Sequence, residues 1–223
     1  MSEFHPGEEI ATAYDRWSQT YEAVQNATRD LAAHVLRQYP LNLRDREILE
    51  IGCGTGLNTG YLAEHAHQLI AFDLSGGMLV QARRKITAAN VRFVQGDIQL
   101  EWPLTKDSLD LVVCMLVLEH IANLDHVFKQ AAQVLRPGGE FFICELHPFR
   151  QLQGRQARFM DASSGDLVFV RAFLHEVSEY VNTGIQHGFQ LIRLDEWHDD
   201  EQDSGKPPRL LSLHVRKLTP NQM

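Results

Sequence analysis

The stretch Ile48-Leu49-Glu50-Ile51-Gly52-Cys53-Gly54-Thr55-Gly56 runs from a short apolar segment into three closely spaced glycines. A short, mainly apolar run that ends in glycines is typical of a buried β-strand, and the glycines let a ligand approach the backbone closely. Open α/β sheets bind their ligands at such turns, beyond the carboxyl ends of the strands. The stretch therefore predicts a ligand-binding turn in an α/β fold.

The spacing of the glycines separates this turn from two common phosphate-binding loops. The dinucleotide fingerprint needs a third glycine where Leu57 or Thr59 stands, and a P-loop needs a lysine that is absent here. Glu50 would repel a pyrophosphate, whereas it suits a ligand that carries an ammonium group. These residues disfavour an NAD-dependent dehydrogenase, which is one alternative for an α/β sheet of this kind.

Two further acids follow the second and third predicted strands. Asp73 ends the run 69–73, where a carboxylate accepts hydrogen bonds from both ribose hydroxyls. Asp97 follows the run 91–94, where a carboxylate can accept a hydrogen bond from the exocyclic amine of adenine. An amino acid, a ribose and an adenine without phosphates together describe S-adenosylmethionine.

The chain resembles the class I S-adenosylmethionine-dependent methyltransferases, in particular the small-molecule type found in quinone and biotin pathways. The segments that carry the resemblance, in chain order, are 48–56, Phe72-Asp73-Leu74-Ser75 with Met78, Gly96-Asp97, Leu116-Val117-Leu118-Glu119-His120-Ile121 and 134–140. They fall between residues 45 and 145. The resemblance implies S-adenosylmethionine as the cofactor, S-adenosylhomocysteine as the product and transfer of a methyl group as the activity.

Strands that alternate with helices predict an α/β fold with a parallel sheet. Apolar runs at 48–51, 69–73, 91–94, 109–115 and 140–144 alternate with helical patterns. The last two predicted strands, at 189–197 and 210–217, have no helix between them and can pair antiparallel. The resemblance implies the same architecture, a Rossmann-like sheet of seven strands that is mostly parallel, with an antiparallel last strand and helices on both faces.

We expect a single methyltransferase domain over residues 1–223, because a chain of this length with 44% hydrophobic residues can bury one sufficient core. A break near Asn26-Ala27-Thr28, with Thr28 as a cap, divides an N-terminal helical pattern. The expected parts are a helical lid (1–40), a cofactor-binding core (41–147), an acceptor-side hairpin insert (148–175) and a C-terminal helix with strands (176–217).

Charge and composition exclude several classes of partner. The net charge is −8 and no Lys/Arg-rich run occurs, which argues against nucleic acids and anionic membranes. No apolar run is long enough to span a membrane, and the first nine residues do not resemble a signal peptide. Three widely spaced cysteines favour reduced thiols and a cytoplasmic protein. Either a monomer or a homodimer fits these features.

The resemblance also implies which residues hold the cofactor. The glycine turn and Glu50 would lie under its methionine end, and Arg29 could pair with its carboxylate. Asp73 would bind the ribose and Asp97 the adenine amine. The full expected set is Tyr21, Arg29, Glu50, Gly52, Cys53, Gly54, Gly56, Asp73, Leu74, Met78, Asp97, Ile98, Cys114 and Met115.

The methyl acceptor is expected to be a small molecule near the carboxyl edge of the sheet. His147, His175 and His120 are the candidate catalytic residues, because a histidine can take a proton from a hydroxyl at neutral pH. No metal site is expected, since residues 175–179 depart from His-Glu-x-x-His at the last position. O-methylation of a carboxylate or hydroxyl is favoured. C- or N-methylation and a non-catalytic cofactor-binding protein are the alternatives.

Overall fold

The larger sheet of the protein has seven strands, and a separate hairpin has two. We analysed a computed structural model, which describes residues 6–199 and 205–222. The sheet strands are β1 (Glu47–Ile51), β2 (Gln68–Asp73), β3 (Val91–Gln95), β4 (Leu109–Met115), β5 (Leu135–Leu146), β8 (Phe189–Trp197) and β9 (Leu210–Lys217), and the hairpin strands are β6 (Arg158–Met160) and β7 (Leu167–Phe169).

Helices cover the sheet and lead into it. They are α1 (Pro6–Trp17), α2 (Ala27–Gln38), α3 (Thr59–Ala63), α4 (Gly76–Lys85), α5 (Leu124–Val134), α6 (Pro148–Leu152) and α7 (Val177–Gln186), with a 3-10 turn at Leu118–His120. The predicted break in the N-terminal helical pattern is confirmed, but Asn26 caps α2 rather than Thr28. The Asn26 side chain accepts hydrogen bonds from the Thr28 and Arg29 amides at 3.1 Å each.

The order of strands across the sheet is β3-β2-β1-β4-β5-β9-β8. β1 pairs parallel with both β2 and β4, so the chain builds outward on one side of β1 and then on the other. β9 runs antiparallel to both β5 and β8. The predicted α/β fold and its antiparallel strand are confirmed. The order in which strands are added to the sheet thus changes sides between β1 and β4. A crevice opens there, at the carboxyl ends of these two parallel strands.

The core strands are mainly apolar because helices cover both faces of the sheet. Ile48, Leu49 and Ile51 of β1 are buried, as are the residues around them on β4 and β5. On one face, Phe128 of α5 packs edge-to-face on Phe141 of β5, with ring centroids 5.4 Å apart. This rigid sheet fixes the strand ends where the site is built.

Three expectations from the sequence are confirmed only in part or stay predictions. The hairpin predicted within 148–175 is present but shorter than expected, and the division of the chain into lid, core and insert stays an interpretation. The first nine residues fall partly outside the described residues. Among the residues that are described, no helix has the length and apolarity to cross a membrane.

Glu140 joins three strands near the amino-terminal end of the sheet. It lies on β5 opposite Arg216 of β9, whose guanidinium donates to it at 2.8 Å. Arg46, directly before β1, donates to the same carboxylate at 2.9 Å. His214, Arg216 and Arg46 together lower the pKa of Glu140 to about 2, although burial opposes that shift.

Glu140→Gln is expected to lower the free energy of unfolding at pH 7 by about 1.5–3 kcal/mol, the range for hydrogen bonds to a charged group. Because the folded-state pKa lies below the ordinary value of 4.5, this stabilisation is present above about pH 4.5 and is lost as the pH falls toward 2. Urea unfolding at pH 7 and pH 3 measures it, with the exposed Glu101→Gln as the control. An equal pH dependence in Glu140→Gln and the wild type would contradict this role.

Candidate active site

Two cavities lie beyond the carboxyl ends of β1, β2 and β4. The smaller has a volume of about 100 Å³ and the larger about 660 Å³. Tyr14, Tyr21 and Leu116 line both of them. The cavities therefore meet at these three residues, and a group bound in one would lie next to a group bound in the other.

The glycine turn forms one wall of the smaller cavity. Gly52 and Gly54 line it with φ angles of +67° and +54°, in the left-handed region that glycine adopts without steric cost. A Cβ on Gly52 would lie 2.1 Å from a Val117 methyl carbon, whereas a Cβ on Gly54 would meet no atom within 4 Å. Gly52 thus permits close packing within the protein, and Gly54 leaves the space open for a ligand.

Asp73 holds this turn in place. One carboxylate oxygen accepts a hydrogen bond from the Gly54 amide at 2.7 Å, and the other accepts one from the Ser75 amide at 2.8 Å. Burial raises the pKa of Asp73 to about 6, although both amides oppose that shift. The carboxylate lines the smaller cavity, where the sequence placed the ribose.

The rest of the smaller cavity suits an adenine ring. Leu74, Met78 and Ile98 supply apolar walls, and Asp97 supplies an acceptor that already binds the Gln99 amide at 2.8 Å. Open backbone at Gly54, two carboxylates and apolar walls are the features that a phosphate-free adenosyl group requires. The residues therefore fit S-adenosylmethionine.

The N-terminal segment closes the smaller cavity. Ile10 and Tyr14 of α1 are part of its wall. Asp15 links α1 to the start of α4. Its carboxylate accepts hydrogen bonds from the Ser75 hydroxyl at 2.5 Å and from the Gly77 amide at 2.8 Å. At about 100 Å³ the smaller cavity lies below the roughly 300–1,000 Å³ of usual ligand pockets, because α1 narrows it in this conformation.

Four residues expected to touch the cofactor line neither cavity. They are Glu50, Cys53, Gly56 and Cys114, whereas the other nine expected residues besides Arg29 line the smaller one. Glu50 is buried and accepts a hydrogen bond from the Thr59 hydroxyl at 2.6 Å, and burial raises its pKa to about 8. These residues support the turn from within the protein instead of forming its surface.

Arg29 lines the larger cavity but is already bonded within its own segment. Its guanidinium donates to the Tyr21 carbonyl and, at 3.0 Å, to the Val24 carbonyl. These bonds fix the turn between α1 and α2 and hold Tyr21 in the wall of both cavities. In this structure, Arg29 therefore stabilises the turn between α1 and α2.

His147 and His175 do not face the cavities, which corrects the expectation from the sequence. His147 caps α6 through Nδ1, which accepts from the Phe149 amide at 3.1 Å, and its Nε2 lies 3.0 Å from Glu196. His175 is buried, with Nε2 at 2.7 Å from the Ile121 carbonyl and Nδ1 at 2.9 Å from Glu179. Each ring nitrogen of the two histidines therefore already has a hydrogen-bond partner within the protein.

His120 does line the smaller cavity, and it pairs with Tyr14. Its Nδ1 lies 2.6 Å from the Arg171 carbonyl, which can only accept, so Nδ1 carries the proton of the neutral ring. Nε2 then accepts from the Tyr14 hydroxyl at 2.7 Å. Burial raises the pKa of Tyr14 well above its ordinary value, which keeps the phenol protonated.

Leu116 and Glu119 are site residues that the expected set omits. Leu116 directly follows β4 with a φ of +58°, which is strained for a branched side chain, and it lines both cavities. Glu145 fixes the backbone after it by accepting from the Val117 and Leu118 amides at 2.9 and 3.0 Å. No sequence pattern signals this geometry, because it depends on a carboxylate 28 residues away from Val117.

Gly52→Ala is expected to destabilise the fold more than Gly54→Ala, because both strain the left-handed backbone by about 1–2 kcal/mol but only Gly52→Ala also strikes Val117. Gly54→Ala is expected to fold and to bind S-adenosylhomocysteine weakly, since its methyl group fills ligand space. Thermal unfolding of the free proteins and calorimetric titration measure the two effects. Gly54→Ala with wild-type affinity would show that no ligand approaches this turn.

Comparison with known proteins bears on the family and the fold of the chain. A family model described as a methyltransferase domain matches residues 49–143. The biotin biosynthesis bifunctional protein BioHC of Cellvibrio japonicus is 32% identical over 139 residues, which are 62% of this chain and 27% of that protein. This chain thus matches only about a quarter of that relative. The malonyl-[acyl-carrier protein] O-methyltransferase of Priestia megaterium is 26% identical over 82% of this chain and 71% of its own length.

A solved structure carries the same fold. It is a Listeria monocytogenes protein assigned as an S-adenosylmethionine-dependent methyltransferase, with a TM-score of 0.72 and 25% identity over 85% of this chain and 100% of that chain. The family resemblance found in the sequence is thereby confirmed, together with its cofactor. Its ordered motifs, its sheet and these likenesses make the chain similar in sequence and in fold to the class I S-adenosylmethionine-dependent methyltransferases.

Proposed function

We propose that this methyltransferase O-methylates a carboxylate or a hydroxyl of a small molecule. The observation that carries the proposal is the junction of the two cavities at Tyr14, Tyr21 and Leu116. The residues that line the smaller cavity suit the adenosyl group, and the larger cavity has the volume of an ordinary small-molecule pocket. The O-methyltransferase named among the relatives supports the choice of oxygen.

The protein has two tasks in such a reaction. When bound, S-adenosylmethionine supplies an electrophilic methyl group on a positively charged sulfur. The chain must hold the acceptor oxygen in line with that methyl group, which the shared wall of the cavities favours. It must also exclude water from the reacting atoms. The aromatic rings of Tyr14, Trp17 and Tyr21 serve this purpose, because they pack against one another with ring centroids 4.8–6.4 Å apart.

A hydroxyl acceptor also has to lose a proton, and we assign this step to the Tyr14–His120 pair. The acceptor hydroxyl would donate to the Tyr14 oxygen while the Tyr14 proton moves to Nε2 of His120, which lies 2.7 Å away. The Arg171 carbonyl at Nδ1 stabilises the resulting imidazolium. A carboxylate acceptor would need no base, so the pair would then only orient it.

The alternatives differ in what they require of this pair. C- or N-methylation would use the same cavities with another nucleophile. A non-catalytic cofactor-binding protein would bind S-adenosylmethionine and transfer nothing.

We further propose a cytoplasmic protein without a nucleic-acid partner, which the three unpaired cysteines and the net charge of −8 support. Whether it is a monomer or a homodimer stays a prediction.

The proposed function is tested by measuring S-adenosylhomocysteine release with a panel of hydroxylated and carboxylated small molecules. The expected result is turnover with at least one of them and a product that is hydrolysed as an ester or is stable as an ether. Products methylated at carbon or nitrogen would replace the O-methylation proposal. Binding of the cofactor with no turnover across the panel would favour the non-catalytic alternative.

Tyr14→Phe is expected to lower kcat for a hydroxyl acceptor by about 10²–10⁴-fold, the usual contribution of a positioned base. The ring stays in the wall of both cavities, so the affinity for S-adenosylhomocysteine should change little. His120→Asn should give a similar loss, and the exposed Arg84→Gln serves as the control. A kcat unchanged in Tyr14→Phe, measured with saturating acceptor, would remove the pair from the mechanism.

A further inference from the structure

We propose that the methyl acceptor carries an anionic group, either a carboxylate or a phosphate-type group, which Arg155 and Arg158 bind in the larger cavity. This inference rests on the proposed function, because it names the class of molecule that receives the methyl group. Two observations support it: the wall of the larger cavity is positively charged, and these two guanidinium groups have no hydrogen-bond or ion-pair partner among the described residues.

The wall of the larger cavity is cationic in an acidic protein. The chain has 29 acidic and 21 basic residues, yet Glu119 is the one acid among the described residues that line this cavity. Five of the lining residues are arginines, namely Arg29, Arg150, Arg155, Arg158 and Arg209. A cleft lined by one sign of charge concentrates ligands of the opposite sign.

Three of these arginines already serve the protein. Arg150 donates to Asp199 at 3.1 Å, and Arg209 donates to Asp199 and, at 3.0 Å, to the Thr28 hydroxyl. Arg29 is bonded to backbone carbonyls of its own segment. Their charges contribute to the potential of the cavity, but their donors are largely taken.

Arg155 and Arg158 form neither hydrogen bonds nor ion pairs through their side chains with any residue in the described part of the chain. Their backbone is nevertheless fixed, because the Arg155 amide donates to the Arg150 carbonyl at 3.0 Å and Phe159 stacks on Trp17 with centroids 5.0 Å apart. Exposed arginines are common. These two differ because they line the cavity that Tyr14 and Leu116 connect to the cofactor site.

Glu119 does not cancel this charge. Its side chain is only 8% exposed, and its Oε2 atom is buried without a hydrogen-bond partner. Burial raises the pKa of Glu119, which favours the neutral carboxylic acid. One carboxyl among five arginines leaves the wall with a net positive charge even when that carboxyl is ionised.

The remaining wall describes the body of the acceptor. Trp17, Phe159 and Leu146 line the cavity with apolar surface. Its volume of about 660 Å³ is typical of pockets for small organic ligands. An aromatic or aliphatic acid therefore fits better than a bare inorganic anion, and guanidinium groups bind carboxylates and phosphates with paired hydrogen bonds.

The experiment compares anions with neutral molecules of the same shape. Calorimetry at low ionic strength measures binding of 4-hydroxybenzoate and 4-hydroxybenzamide, and of phenylphosphonate and its dimethyl ester, with and without S-adenosylhomocysteine. At least one anion is expected to bind about tenfold more tightly than its neutral partner, as charge-assisted bonds require. The two pairs distinguish a carboxylate from a phosphate-type group.

The variant R155Q/R158Q should lose this preference while it keeps its affinity for S-adenosylhomocysteine. The control Arg84→Gln, an exposed arginine of α4 that lines neither cavity, should keep both. Equal binding of anions and neutral partners would overturn the inference. So would failure of every anion to bind at millimolar concentration, a preference that survives in R155Q/R158Q, or a loss of S-adenosylhomocysteine affinity in that variant.

The outcome is distinguishable from failure of the proposed function. If the wild type binds S-adenosylhomocysteine and methylates neutral acceptors without preferring anions, the function stands and the inference fails. If the wild type prefers anions through these arginines but transfers no methyl group, the anion site stands and the proposed methylation fails.

Discussion

A single half-buried carboxylate, that of Asp73, joins the turn after β1 to the turn after β2. It accepts from the Gly54 amide on one side and the Ser75 amide on the other, so the two turns hold one geometry. Amide hydrogen bonds to a charged acceptor are short and strong, which keeps the open backbone of the glycine turn in position without side chains of its own. The expected ribose site is therefore built from the same contacts that stabilise the strand ends.

A second constraint shapes the path from cofactor to acceptor. Glu145 holds the backbone that follows Leu116, and that residue stays in the left-handed region although it has a branched side chain. Such strain persists only where surrounding contacts determine the backbone completely. The result places Leu116 where the two cavities meet, opposite the ring of Tyr14 from the N-terminal helix. The two cavities are thus adjacent because α1 packs over the loop after β4.

The adenosyl half of the site was predictable in large part. Gly52, Gly54, Asp73 and Asp97 follow strands whose carboxyl ends meet at one edge, and all four line the smaller cavity. Glu50 lies on β1 and Cys114 on β4, but each side chain is buried and lines neither cavity. A sequence shows which strand a residue follows more readily than which face its side chain occupies at the strand end.

The acceptor half was predictable only in outline. His147 and His175 follow elements near the correct edge, yet each nitrogen of their rings has a protein partner. Tyr14 and His120 are 106 residues apart and meet because α1 packs over the loop after β4. Such pairs depend on long-range packing, which local spacing does not encode.

By itself, the sequence determined the α/β class, the order of its elements and the phosphate-free adenosyl ligand. These follow from local causes: hydrophobic period, glycine conformational freedom and acids placed directly after strands. The tertiary structure alone decided which histidine faces a cavity and which arginines lack partners. Only there did the cationic wall of the larger cavity become visible, because it joins residues from the lid segment, the hairpin insert and the start of β9, and partners so distant in the chain are chosen by packing.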